Sequence, residues 1–310
     1  MSQAVGTGKY ERLLERCKEL APVPTAVAHP CEKSALEGAI DAAQAGIITP
    51  VLVGPRREIE ETAKAAGIDF GNFEIVDTPN SVESGKQAVA LVREGRAEVL
   101  MKGSLHTDEL MSAIVSREGG MRTGRRISHV FIMDVPTYHK VLVVTDAAIN
   151  IAPALEDKVD IVQNAIDLVT SLGHEKPKVA ILCAVETVNS KMPATLDAAA
   201  LCKMAERGQI KGGILDGPLA FDNAISADAA KTKGIKSLVA GDPDILLAPD
   251  LEAGNILAKN LTFLANADSA GMVLGARVPV ILTSRADSVR SRIASCAVAK
   301  LVAHARRARP

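Results

Sequence analysis

The chain has 310 residues, and its 36 Lys and Arg against 37 Asp and Glu give a formal net charge of only -1. A balanced charge argues against general affinity for nucleic acid or an anionic membrane, and an aromatic content of 2% leaves few rings on which bases could stack. This length is expected to form two domains or one large α/β domain.

The cysteines and the N-terminal sequence favour an intracellular protein. The cysteines are odd in number and form no Cys-x-x-Cys pair, so we expect neither a disulfide framework nor a zinc ribbon. The first residues lack the apolar segment of a signal peptide, and no run approaches the roughly 18 apolar residues of a membrane span. We therefore expect a soluble, cytoplasmic protein.

Short β-branched runs alternate with longer helical patterns from Pro24 onward. Strands are predicted over 25–28, 50–53, 74–76 and 99–103, and helices over 33–45, 57–66, 82–94 and 107–115. Repeated β–α alternation is typical of a mostly parallel sheet with helices on both faces. Ligands of such sheets bind at the carboxyl ends of the strands.

The alternation is interrupted by a Gly-rich basic segment over 119–126 and then resumes. Two strand-like runs, 129–133 and 140–145, suggest a hairpin or a crossing between domains. The remaining predictions are helices over 157–172, 196–207 and 251–265, strands over 179–185 and 213–215, a helix after 222, apolar runs over 237–241 and 245–249, and a last strand from 278. We predict a first α/β domain over 1–127 plus 278–310, with a second inserted over 128–277.

The last predicted strand delivers a group of polar side chains to the start of a helix. Apolar residues over 278–283 predict the buried strand, and the helix runs to about Arg306. Between them lie Ser284, Arg285, Asp287 and Ser288. Free N–H groups at a helix start attract anions, and an Arg fork suits a phosphate or carboxylate. The structural alternative is that Asp287 and Ser288 cap the helix while Arg285 makes a surface ion pair.

A second candidate anion site follows the strand that ends near Gly103. The loop opens a helix, so its backbone donors and Lys102 could hold a phosphate, with His106 and Thr107 nearby. The loop does not match GxxxxGK[ST], so a P-loop kinase is unsupported. Lys102 could equally be a surface cation, and His106 or Thr107 a plain helix cap.

Further polar residues lie in loops or at predicted strand ends. The cluster of Arg122, Arg125 and Arg126 suits a polyanionic substrate, although a solvated charge run is the alternative. Asp146 and Asp216 follow predicted strands, where acid/base residues often lie and where Asp also forms turns.

One predicted helix also presents a candidate polar edge. Lys259 shares a helical face with Asn255, which could contact a ligand or form a surface pair. We find no HExxH, EF-hand or Cys/His cluster that suggests a metal, and no GxSxG elbow of a hydrolase.

Five motifs occur in a fixed order along the chain: 102–108, 145–150, 216–222, 249–255 and 284–288. Taken together they resemble the phosphate acetyltransferase and phosphate butyryltransferase family, and the likeness extends over nearly the whole chain from about Pro24. The Ser-Arg-Ala-Asp-Ser form of the last motif and the segment 186–193 look more like the butyryl branch.

The resemblance implies the reversible reaction of an acyl-CoA with orthophosphate to give an acyl phosphate and free CoA. It also implies a two-domain α/β fold of the isocitrate/isopropylmalate dehydrogenase type, with mostly parallel sheets sandwiched by helices and the site in the interdomain cleft. Homodimers that use no metal or nicotinamide cofactor are usual in that family.

The resemblance also suggests residue roles. A Ser-Arg pair matching Ser284 and Arg285 belongs to the active site of acetyl members, where an Asp seven residues after the serine is proposed as the base. Ser291 stands at that position here. We therefore hypothesise that Asp287 takes the CoA proton, that Ser284 stabilises the developing oxyanion, and that Arg285 holds the phosphate.

Two other functions remain possible from the residues. The same fold is shared with metal- and NAD-dependent dehydrogenases, which would need a divalent-metal site built from several acidic side chains. A non-catalytic CoA or acyl-phosphate binding protein would have no use for a base such as Asp287.

Overall fold

The computed structural model describes residues 8–283 and 287–308. The strands are β1 Val23–Ala28, β2 Ile48–Gly54, β3 Ile75–Asp77, β4 Val99–Lys102, β5 Ser128–Asp134, β6 Leu142–Thr145, β7 Lys178–Leu182, β8 Ile214–Leu219, β9 Ile245–Leu247, β10 Asp268–Leu274 and β11 Val280–Ile281. The helices are α1 Lys9–Lys18, α2 Lys33–Gln44, α3 Arg56–Ala66, α4 Ser81–Arg93, α5 Thr107–Val115, α6 Leu155–Ser171, α7 Pro193–Glu206, α8 Phe221–Ile225, α9 Ala227–Thr232, α10 Leu251–Phe263 and α11 Val289–Ala308.

The chain forms two compact units. Of the described residues, the flanking unit contains 10–125, 270–283 and 287–308, and the central unit contains 8–9 and 126–269. Within the described parts of both units, no helix combines the length and the apolar character needed to cross a membrane.

The flanking unit is built on a mostly parallel sheet. Its strands lie in the order β3-β2-β1-β4-β11-β10, and every neighbouring pair is parallel except β10 with β11. All four residues of β4 are buried, as are five of the six in β1. Such uniform burial is expected where helices cover both faces of a parallel sheet.

The central unit repeats this architecture with a different strand order. Its strands lie in the order β5-β6-β9-β7-β8, in which only β5 and β6 pair antiparallel. Its buried core is largely aliphatic, with Leu142, Val144, Leu182 and Leu246 among its members. The α/β class predicted from the alternating pattern is confirmed in both units.

The sequence prediction was wrong about the strand before Asp216. That strand was expected over 213–215, but β8 continues to Leu219, so Asp216 lies inside the strand rather than after it. The strand therefore includes Gly217 and Pro218. They are accommodated because β8 is an edge strand whose register with β7 shifts between Ala180 and Leu182, and edges and bulges are where sheets tolerate Pro.

The sequence also predicted neither the helix α1 Lys9–Lys18 nor the strand β10 Asp268–Leu274, and one predicted apolar run forms no strand. Of the two apolar runs, 245–247 forms β9, whereas 237–241 forms no strand. In the latter run, Ser237 Oγ accepts the N–H groups of Val239 and Ala240 at 2.9 Å each. A side chain that bonds its own backbone in this way competes with strand formation.

Candidate active site

The carboxyl ends of three neighbouring parallel strands bring together residues from distant parts of the flanking unit. Ala28 of β1 pairs with Lys102 of β4, and Met101 of β4 pairs with Ile281 of β11. The carboxyl ends of β1, β4 and β11 therefore lie side by side at one edge of the sheet. This edge is where ligands bind in open α/β sheets.

Gly103 and Ser104 join the end of β4 to the end of β1. The N–H of Gly103 donates to Ala28 O at 2.8 Å, and the N–H of Ser104 donates to His29 O at 2.8 Å. Ser104 Oγ also donates to His29 O at 2.6 Å. The loop after β4 is thus fixed by hydrogen bonds to a second strand end and starts from a well-defined conformation.

Lys102 places a cation at this edge. It is the last residue of β4, and only 9% of its surface is exposed. Its Nζ donates to Gly103 O at 3.3 Å. From the sequence alone, Lys102 could have been a surface cation. The burial of Lys102 excludes that alternative.

His106 and Thr107 lie at the start of α5, close to the carboxylate of Glu109. Glu109 accepts the His106 N–H at 2.9 Å and the Ser81 hydroxyl at 2.9 Å. These hydrogen bonds lower the pKa of Glu109, so its side chain is ionised at neutral pH. Glu109 therefore satisfies a free donor of the first turn, as in a helix cap.

The polar group after β11 is only partly described. Ser284 and Arg285 lie outside the described residues, whereas Asp287 is half-buried. Ser288 caps α11, since its Oγ accepts the Ser291 N–H at 3.1 Å and donates to Ser291 Oγ at 3.1 Å. This confirms Ser288 as the helix cap that the sequence suggested. Asp287 is the carboxylate that immediately precedes this cap.

Arg122 and Arg125 are exposed residues of the flanking unit. Arg122 forms an antiparallel bridge with Ala276, and Thr123 Oγ1 donates to Gly275 O at 2.6 Å. The N–H of Arg125 donates to Thr123 Oγ1 at 3.1 Å. Two arginines are therefore held on a backbone that is tied to the residues between β10 and β11.

In the central unit, Asp146 organises the loop that follows β6. It is 3% exposed, and its carboxylate accepts the N–H groups of Ala148 and Ile149 at 2.9 and 3.1 Å. It also accepts Asn150 Nδ2 at 2.5 Å. Its oxygens are thus occupied by its own loop, which supports the turn-forming alternative for this residue.

Asn255 lies on α10 against the same loop. Its Nδ2 donates to Ala147 O at 3.0 Å. The preceding Gly254 lets the helix approach closely, because a Cβ there would lie 2.2 Å from Asp146 O. Lys259, one turn further along α10, is exposed. The structure therefore brings Asp146 and Asn255 together.

Arg126 and His129 are polar residues near the loop that follows β6. Arg126 is held by three partners, with its Nε bonded to Asn150 Oδ1 at 2.7 Å, its N–H to Asp160 and its guanidinium to Asp157. His129 is 1% exposed, and its Nδ1 has no hydrogen-bond partner within 8–283 and 287–308. Burial lowers the pKa of His129 to about 4, against a smaller opposing effect of Asp146.

His29 and His129 were not among the candidate residues predicted from the sequence, although His29 lies at a position that could have been selected. His29 directly follows the predicted strand 25–28, which is the same strand-end rule that selected Lys102. His129 gave no signal, because it lies within the strand β5 and its environment depends on packing.

Comparison with known proteins identifies the class. Residues 81–300 match the family model described as phosphate acetyl/butaryl transferase. The chain is 63% identical over 300 residues to a phosphate acetyltransferase of Rhizobium meliloti, covering 97% of this chain and 95% of that protein. It is 44% identical over 288 residues to a phosphate butyryltransferase of Clostridium acetobutylicum, covering 93% and 95%. The chain belongs to the phosphate acetyl/butyryl transferase family, as the ordered motifs indicated.

Solved structures show the same fold. A branched-chain phosphotransacylase from Enterococcus faecalis V583 superposes with a TM-score of 0.80 at 28% identity, covering 91% of this chain and 99% of that one. A 4-hydroxythreonine-4-phosphate dehydrogenase from Klebsiella pneumoniae superposes with a TM-score of 0.56 at 12% identity, covering 91% and 100%. The second likeness concerns the fold alone, and it agrees with the expected dehydrogenase-type architecture.

Proposed function

We propose that this protein transfers a short acyl group reversibly between CoA and orthophosphate. The observation that carries the proposal is the identity of 63% over 97% of the chain to a relative named for phosphate acetyl transfer. The geometry of the flanking unit supports it. The buried Lys102 ends β4, the segment leading to Asp287 follows β11, and these two strands are neighbours in the sheet.

The acyl group is proposed to be acetyl or another short chain. The motifs favoured the butyryl branch, whereas the identities are 63% to a relative named for acetyl transfer and 44% to one named for butyryl transfer. One methylene changes discrimination by only about 1–3 kcal/mol. We therefore expect acetyl-CoA to be used well and slightly longer acyl groups to be tolerated.

The proposed mechanism begins with the CoA thiol. A thiol with a pKa of about 8.5 requires roughly 2 kcal/mol to form its thiolate at neutral pH. Asp287 takes this proton as general base, and the thiolate attacks the carbonyl carbon of the acyl phosphate. Ser284 donates a hydrogen bond to the oxyanion that develops.

The leaving phosphate is held by positive charge at the same edge. Arg285 offers a planar pair of donors, and Lys102 at the end of β4 supplies a second cation. The loop that begins at Gly103 borders this proposed phosphate site, together with His106 and Thr107 at the start of α5. Ser288 supports it by capping α11.

The remaining candidates are proposed to bind the rest of the substrate. The exposed cations Arg122, Arg125 and Lys259 suit the phosphates of CoA. Asp146 and Asn255 shape the loop after β6, and Asp216 contributes from within β8. These six roles, unlike those of Ser284, Arg285 and Asp287, concern affinity rather than the chemical step.

Transfer is proposed to occur directly between the two bound substrates, without an acyl-enzyme. No histidine adjoins Ser284 in sequence to activate its hydroxyl. Sequential initial-rate patterns are expected. Ping-pong kinetics would instead indicate a covalent acyl intermediate.

We further propose that the reaction requires neither a metal ion nor a nicotinamide cofactor, and that the protein acts in the cytoplasm as a homodimer. A metal- and NAD-dependent dehydrogenase on the same fold is the rival. Nicotinamide reduction in the presence of a divalent metal would favour it.

Product analysis tests the proposed function. The protein is incubated with acetyl-CoA and phosphate, free CoA is measured with a thiol reagent, and acyl phosphate is trapped with hydroxylamine. Equal amounts of CoA and acyl hydroxamate are expected. CoA release without acyl hydroxamate would indicate hydrolysis, and binding of acetyl-CoA without either product would indicate a non-catalytic binding protein.

A further inference from the structure

Three side chains with metal-binding atoms converge at the end of β1 in the flanking unit. His29 and Cys31 follow β1 directly, and Glu58 lies in the first turn of α3. One ligand atom from each of the three lies within 4.8 Å of the other two. The histidine and cysteine are half-buried and the glutamate is exposed, so the cluster opens to solvent on one side.

The spacing of these atoms suits a tetrahedral metal ion. Cys31 Sγ lies 3.6 Å from His29 Nδ1. Zn–S and Zn–N bonds of about 2.3 and 2.05 Å at a tetrahedral angle place sulfur and nitrogen about 3.6 Å apart. An imidazole, a thiolate and a carboxylate together are a donor set typical of zinc.

The backbone that carries His29 and Cys31 is firmly held. His29 has a φ of 56°, a conformation that non-glycine residues rarely adopt. Its N–H donates to Val53 O at 2.6 Å, and its carbonyl accepts from Ser104. Such an outlier, fixed by its surroundings, is a feature of ligand-binding positions.

Cys31 is equally constrained by its neighbours. Its N–H donates to Ser104 Oγ at 3.1 Å, and its carbonyl accepts Thr62 Oγ1 at 2.8 Å. The imidazole of His29 is oriented through Nδ1, which lies 3.1 Å from Ser84 Oγ, and a metal ion bound to Nδ1 would replace this hydrogen bond. Two of the three candidate ligands are therefore positioned before any metal arrives, which lowers the entropy lost on binding.

The electrostatics of the cluster favour a bound cation. Glu58 and Glu32 place negative charge near the Cys31 thiol. A metal ion replaces the thiol proton when it binds and offsets the negative charge of the glutamates.

We propose that His29, Cys31 and Glu58 form a site for Zn²⁺ or a similar divalent transition metal, with a fourth position open to water. The thiolate and imidazole select against Mg²⁺ and Ca²⁺, which prefer oxygen ligands. Ser104 Oγ connects the site to the loop after β4, because it accepts the Cys31 N–H and donates to His29 O. Bound metal would stiffen that loop. None of the three proposed ligands is among the residues proposed for acyl transfer.

Cobalt substitution tests the proposal without any substrate. Metal-free protein is titrated with Co²⁺ while the near-ultraviolet absorption is recorded, because a thiolate–cobalt bond produces a charge-transfer band there. We expect one Co²⁺ per chain, the band, and displacement of the cobalt by Zn²⁺ but not by Mg²⁺. A wild-type protein without the band would overturn the proposal.

Matched variants assign the ligands. Cys31→Ser should abolish the band, whereas Cys202→Ser should retain it; Cys202 is also a half-buried cysteine whose pKa is raised to about 12 by burial. His29→Asn preserves the backbone, since Asn tolerates positive φ, and should weaken Zn²⁺ binding by about 100-fold or more, given that losing an outer-shell partner alone costs about 10- to 100-fold. Retention of the band in Cys31→Ser, or its loss in Cys202→Ser, would refute the assignment.

The glutamate is tested in the same way, with folding as a control. Glu58→Gln should weaken Zn²⁺ binding, whereas Glu61→Gln on the same helix, where Glu61 pairs with Arg57, should not. Equal Zn²⁺ affinities for these two variants would remove Glu58 from the site. Metal-free melting temperatures of all variants, compared with the wild type, separate loss of a ligand from loss of the fold.

Discussion

Gly103 lies against the backbone of Ala28 so closely that no side chain fits between them. The Gly103 N–H donates to Ala28 O at 2.8 Å. A Cβ on Gly103 would lie 2.3 Å from that oxygen and 2.5 Å from His29 O. Both are backbone atoms, so the loop after β4 can approach β1 only because residue 103 is glycine.

Gly103→Ala is expected to destabilise the protein by about 2 kcal/mol or more, because overpacking against backbone forces strands or loops to shift. Chemical denaturation measures the change. Gly124→Ala is the matched control, since a Cβ there meets nothing within 4 Å. Equal effects of the two substitutions would show that the contact with Ala28 does not limit residue 103.

Asp287→Asn is expected to lower kcat by about 100-fold or more, because general-base catalysis contributes roughly that factor. Asparagine keeps the shape of the side chain but cannot take the thiol proton. Steady-state thiol release from acetyl-CoA measures the effect, with circular dichroism to verify the fold. Turnover close to that of the wild type would assign the base to another group.

Ser288→Ala is expected to cost about 1 kcal/mol of unfolding free energy, whereas Ser288→Gly should cost only a few tenths. The reason is that Ser288 Oγ accepts the Ser291 N–H at the start of α11, and glycine is a tolerable cap. Urea denaturation of both variants gives the comparison. If the two variants were equally destabilised, Ser288 would be acting through something other than helix capping.

His129 predicts a specific pH dependence of stability. Its pKa is about 4 in the folded protein and about 6.5 when unfolded, so the unfolded state binds more protons between these values. The stability is therefore complete above pH 6.5 and falls by up to about 3 kcal/mol as the pH decreases to 4.

The variant His129→Gln should flatten this decline, because glutamine does not titrate. His174→Gln is the control, since His174 is exposed, and it should follow the wild-type curve. Denaturation midpoints at several pH values between 4 and 7 decide the matter. Identical slopes for wild type and His129→Gln would exclude His129 as the cause.

The sequence predicted the architecture well wherever strands and helices carry strong periodicity. The helix predicted over 33–45 spans Lys33–Gln44, and the strand predicted over 50–53 lies within Ile48–Gly54. The sequence missed β10 Asp268–Leu274, and it ended a strand at 215 where β8 continues through Gly217 and Pro218. Their place in an edge strand depends on a register shift against β7, which is a long-range property that local composition does not encode.

The candidate site was predictable only in part. The rule that ligands bind at strand ends selected Lys102 and Gly103, whose neighbours in the fold are now defined. Distances between side chains from separate strands could not be read from the sequence. The cluster of His29, Cys31 and Glu58 is an example, because Glu58 is 27 residues from Cys31 and meets it only when α3 lies against the segment that follows β1.

The phosphate dependence of CoA release tests the central claim most directly. Release from acetyl-, propionyl- and butyryl-CoA is measured with a thiol reagent, with phosphate varied from zero to saturation. We expect CoA release to require phosphate for every acyl-CoA that is used and to saturate as the phosphate site fills. CoA release at the same rate without phosphate would contradict acyl transfer to phosphate and indicate a thioesterase.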